Sequence, residues 1–76
     1  MYRLTCDSHN VNINYEADDP ADISKFLSGF VQGISLLGGK NINYEYVNID
    51  EDQYCRITGV LNGEDRQYDF LIEEII

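Results

Sequence analysis

Residues 19–39, DPADISKFLSGFVQGISLLGG, decide the fold. Asp19 is a helix-capping residue type, Pro20 suits the first helical position because its missing N–H would be unpaired there anyway, and Asp22 complements the positive end of the helix dipole. At 100° per residue, Ile23, Phe26, Leu27, Phe30, Val31, Ile34 and Leu37 fall within one arc of about 140°, a single broad stripe that must be buried. Gly38-Gly39 supplies the left-handed stop. The spacing predicts one helix over residues 20–37, about 27 Å long. Its outward face carries Lys25, Ser28, Gly29, Gln32 and Leu36 with Gly33 at the flank, sparse in the charged residues that exposed helices favour.

The stretches on either side have the period of strands. Tyr2, Leu4 and Cys6 alternate with Arg3 and Thr5; Asp7-Ser8-His9-Asn10 interrupts; then Val11, Ile13 and Tyr15 alternate with Asn12, Asn14 and Glu16, which predicts an N-terminal hairpin. After the helix, Ile42, Tyr44 and Tyr46 alternate with Asn43 and Glu45. Val47 and Ile49 then shift the apolar phase, which predicts a bulge or a strand end buried on both faces. Asp50-Glu51-Asp52 makes a turn, Cys55, Ile57 and Leu61 continue a strand, Asn62-Gly63 is a hairpin signal, and Tyr68, Phe70 and Ile72 mark a last strand. The reading is a single α+β domain over residues 1–76, a two-layer sandwich of one helix on a mainly antiparallel sheet in the order ββαβββ. Its open face shows Arg3, Thr5, Asn12, Asn14, Glu16, Asn43, Glu45, Arg56, Thr58 and Asp69. The pentapeptide Asn-Ile-Asn-Tyr-Glu occurs at 12–16 and again at 41–45; nothing else aligns at that offset, so it reads as two similar strand edges rather than a duplication.

Composition narrows the function. Fourteen acidic against five basic side chains give a net charge of −9 on 76 residues. Such a surface repels nucleic acid and anionic membranes, and fits a basic protein surface. No apolar run approaches a membrane span, no leader pattern is visible, and Cys6 and Cys55 read as buried thiols of a cytoplasmic protein. No cofactor or metal is expected. The acids after Asp50 do not follow the alternation of a calcium loop, and the single histidine, His9, makes with Cys6 at most half a transition-metal site. Nor is there a catalytic constellation, since His9 sits in a predicted turn without an oxyanion loop.

What remains is binding. Asp18, Asp19 and Asp22 serve the helix start. The partner-binding candidates are Glu45, Asp50, Glu51, Asp52, Tyr54, Glu64, Asp65 and Asp69, with Tyr46 and Tyr68 as neighbouring contact tyrosines. Carboxylates spread along turns and a sheet edge imitate phosphates, so the expectation is a non-catalytic inhibitor occupying the nucleic-acid groove of a basic protein or complex. The short Asn-, Ile- and Tyr-rich acidic chain resembles in character the small proteins that phages direct against restriction or CRISPR effectors, which would place it in host cytoplasm; that likeness transfers no residue role. The alternative is an accessory subunit or homodimer using a sheet edge or the smooth helix face with Gly29, Gly33 and Leu36.

Overall fold

A computed structural model describes residues 1–8 and 11–75. The elements are β1 (Tyr2–Ser8), β2 (Val11–Ala17), α1 (Pro20–Leu36), β3 (Lys40–Ile49), β4 (Asp52–Leu61) and β5 (Glu64–Glu74), the ββαβββ order of an α+β sandwich. Every strand pairing is antiparallel and the sheet order is β2-β1-β5-β4-β3. The last strand therefore inserts between the two hairpins. β2 and β3, the strands that carry the two copies of Asn-Ile-Asn-Tyr-Glu, are the two edges.

The helix begins as its residues dictate. The Asp19 side chain accepts a hydrogen bond from the Ala21 N–H at 2.9 Å, with Pro20 in the first turn. It ends in a Schellman arrangement: the Gly38 N–H donates to the Ser35 carbonyl at 3.1 Å and the Gly39 N–H to the Ile34 carbonyl at 2.9 Å, with Gly38 at φ 94°. This ending corrects one core assignment. Leu37 is the cap residue rather than part of the buried stripe, and it is 73% exposed.

The core lies between the helix and one face of the sheet. Phe70 is fully buried on central β5, and the pairings Cys6↔Phe70 and Cys55↔Phe70 set the two thiols on either side of it. Two strand spacings, about 10 Å, separate them, beyond the reach of a disulfide. From the helix, Phe30 meets Phe70 and Tyr68 edge-on at centroid distances of 4.9 and 5.3 Å, while Phe26 stacks on Tyr15 of β2 at 4.7 Å. Tyr68, expected among the contact tyrosines, belongs to this core.

The bulge lies elsewhere than the apolar phase suggests. It falls between Lys40 and Asn43, where Asn41 takes φ 55°, and from Asn43 to Ile49 the register is continuous. Val47 and Ile49 follow Asn43 and Glu45 on the open face, so the sequence changes its apolar side while the strand does not.

Candidate partner-binding face

Strict alternation on five strands sorts the side chains into two faces. The helix covers Leu4, Cys6, Cys55, Ile57, Tyr68 and Phe70. On the open side, the registers align Asn14, Thr5, Leu71, Tyr54 and Val47 in one row that crosses all five strands. Its middle is a half-buried apolar strip of Leu71, Tyr54 and Val47.

Around this strip stand seven carboxylates by the same alternation: Asp7, Glu16, Glu45, Asp52, Asp65, Asp69 and Glu73. Arg3 and Arg56 share the face. Arg3 bonds Glu16 at 3.1 Å, and Arg56 bonds Asp69 at 3.0 Å. The other Asp69 oxygen accepts from Gln67 Nε2 at 3.2 Å, so this carboxylate is held from both sides. The hydrogen bond to Asp69, then the charge of Asp69 and, more weakly, that of Glu45 push the Arg56 guanidinium further above its ordinary range. Among the described residues, Asp7, Glu45, Asp52, Asp65 and Glu73 form no ion pair. A shallow hollow of about 330 Å³ lies between β2, β1 and β5, lined by Asp7, Asn12, Asn14, Tyr54, Asp69 and Leu71.

Of the candidates read from the sequence, Glu45, Asp52, Tyr54, Asp65 and Asp69 share this face. Asp50 and Glu51 form the β3–β4 turn at its end. Glu64 stands on the other side of the pleat, where its carboxylate accepts from Arg66 at 3.3 Å. The turn acids and Glu64-Asp65 lie at opposite ends of β4, about 30 Å apart, so they form no single cluster. Sequence reasoning missed Asp7, Glu16, Glu73, Val47 and Leu71 as site residues, although it placed Glu16 on the open face. Extending the Tyr68-Phe70-Ile72 alternation by one residue would have placed Leu71 and Glu73 outward.

Glu51 carries a further signal. Asp50 and Glu51 have φ values of 56° and 95°, the two left-handed positions of a two-residue hairpin turn. The β4–β5 turn meets the same demand with Asn62 and Gly63 at 55° and 77°. Asp and Asn tolerate that region, whereas Glu has no local compensation for it. A strained acid held beside two others is the kind of outlier from which a functional role is argued.

The thiols are chemically quiet. Burial raises the Cys55 pKa, and burial is also the first cause for Cys6, where hydrogen bonding with Ser8 acts the other way and the charges of Asp69 and Asp7 add to the rise. Both stay protonated at neutral pH, the opposite of what a nucleophilic cysteine requires. Among the described residues no three His, Cys, Asp or Glu side chains converge as a metal ion would need, and no helix is long and apolar enough to cross a membrane. His9 and its pairing with Cys6 lie outside the described residues. Comparison with protein-family models, curated proteins and solved structures finds no match.

Proposed function

We propose that this chain is a non-catalytic protein-binding inhibitor that sets its open sheet face against a basic, nucleic-acid-binding surface of a partner protein or complex. The carrying observation is the charge on that face, seven carboxylates against two arginines around an apolar strip. The face measures about 20 by 30 Å, which gives roughly one net charge per 120 Å². Duplex DNA, about 20 Å across with one charge per about 1.7 Å of axis, carries a similar density. A groove lined with lysine and arginine would meet on this sheet much the same field it meets on its nucleic acid. The strip of Val47, Tyr54 and Leu71 adds what a phosphate backbone lacks, apolar area that holds a complex once charge has steered it together. Anti-restriction and anti-CRISPR inhibition by phage proteins is the setting this reading fits.

The test compares the parent with a variant carrying Asp7→Asn, Asp65→Asn and Glu73→Gln, three open-face acids outside ion pairs and outside β3. Partners are captured from a host lysate at two salt concentrations, and each captured protein is then assayed for nucleic-acid binding with either form present. The reading expects a nucleic-acid-binding protein that the parent retains and blocks, with retention falling at high salt and in the variant. Equal, salt-insensitive capture by both forms would sink it.

A further inference from the structure

The two copies of Asn-Ile-Asn-Tyr-Glu allow an internal comparison. Each lies on an edge strand, with its isoleucine and tyrosine on the helix side and its second asparagine and glutamate on the open side. On β2 the tyrosine is finished, since Tyr15 stacks on Phe26 at 4.7 Å and 20°. On β3 it is not: Tyr44 is 62% exposed and its strand neighbour Tyr46 is 52% exposed. Between them and the helix runs a groove of about 420 Å³, lined chiefly by Leu27, Ser28, Val31, Gln32, Tyr44 and Tyr46.

The outer edge of the strand beside this groove pairs with no strand among the described residues. Proteins blunt such edges with proline, lysine or a bulge. Here the strand's one lysine, Lys40, and the bulge both sit at the start of β3, which leaves Asn43 to Ile49 in regular register and without proline. A strand laid along it would find backbone partners over its length, the groove on one side and Glu45 on the other, with Asp50, Glu51 and Asp52 beyond the end.

We infer that the β3 edge accepts an extended segment of a basic partner chain as a sixth strand, apolar side chains alternating into the groove and Lys or Arg side chains onto the Glu45 side. Charge selects this occupant over a second copy of the same chain, which would bring a net charge of −9 against −9 and acids against acids. The inference concerns the β3 edge and its groove, which share Glu45 and Asp52 with the open face, and it does not depend on that reading.

The probe is an acetylated, amidated heptapeptide of alternating Lys and Val, titrated into the ¹⁵N-labelled protein. Two analogues are N-methylated, one on every Lys and one on every Val, so that each keeps all side chains and charge but loses the donors of one strand edge. The expected result is saturable shifts in the Asn43 to Ile49 amides, a loss of at least about tenfold in affinity for one analogue only, and about a fivefold loss on Tyr44→Ser with Tyr46→Ser. Both tyrosines are exposed, so that variant should fold, and its own amide spectrum checks it. Equal binding of the peptide and both analogues, or shifts confined to the open face, would reduce the contact to bulk charge and overturn the inference. Concentration-dependent shifts of β3 without peptide, with a dimer in gel filtration, would assign the edge to a second copy and overturn it equally.

Discussion

Replacing Glu51 should stabilise the fold, and by an amount that depends on the replacement. At φ 95° its backbone lies in the left-handed region, which costs an L-residue with a Cβ about 1–2 kcal/mol. Glu51→Gly removes that cost, but a glycine gives the unfolded chain about 0.5–1 kcal/mol of extra conformational freedom. The net backbone gain is about 0.5–1 kcal/mol, to which relief of repulsion from Asp50 and Asp52 adds a few tenths. Glu51→Ala removes the same charge and keeps the strain. The difference between Gly and Ala therefore isolates the backbone: the glycine variant should melt about 2–8 °C above the alanine variant, with matching urea midpoints and unchanged m-values. Raising the salt concentration should shrink the gain of Ala over the parent and leave the difference between Gly and Ala in place. Equal melting temperatures for the two variants would mean that no strain is stored at residue 51, and the turn would lose its claim to a functional cause.

The glycines of the helix and of its end should respond to alanine with opposite signs. A Cβ at Gly39 would sit 2.6 Å from Ile34 Cγ2 and 2.8 Å from the Ile34 carbonyl oxygen, whereas one at Gly29 meets nothing within 4 Å. Gly39→Ala should thus lower stability by about 1–3 kcal/mol, and Gly29→Ala should raise it by up to about 1 kcal/mol, both read by urea denaturation. Cys6 and Cys55, whose pKa values burial raises, favour the folded state while protonated, so their contribution is intact below the unfolded thiol pKa and is lost as pH rises through the folded value. Denaturation at pH 7.5 and 9.5 should show a fall in stability that is smaller in the double Cys→Ala variant, and a thiol reagent should react slowly until the protein is unfolded.

The elements were legible in the sequence wherever one face had to be buried. The stripe from Ile23 to Ile34 could form only an amphipathic helix, and the alternation of Tyr2-Leu4-Cys6 and Tyr68-Phe70-Ile72 could form only half-buried strands. The order of those strands was not legible. Neighbouring hairpins are local, whereas the insertion of β5 beside β1 rests on contacts such as Cys6↔Phe70 across most of the chain, and many pairings of five such strands would bury similar area. The same gap hid the core position of Tyr68, since a tyrosine at a central strand and one at an edge look alike in sequence. Apolar residues on both sides of β3 misplaced its bulge, because Val47 and Ile49 have a reason to be apolar that lies on the open face.

That so many strand acids face outward follows from the one-sided sheet and needs no function: a carboxylate under the helix would lose its water without a partner, so alternation sends it to the other side. The number of acids is thus weaker support for a binding face than their company. A solvated antiparallel face ordinarily sets opposite charges across from one another, because such pairs stabilise a sheet and like charges destabilise it. This face sets Arg3 between Glu16 and Glu73 and Arg56 between Asp69 and Glu45, and leaves Asp7, Asp52 and Asp65 without a cation opposite among the described residues. Single changes to lysine at exposed positions such as Asn43 or Gln67 would ease the repulsion without touching the core. The isolated fold gains nothing from leaving those cations out, and a basic partner surface would supply them.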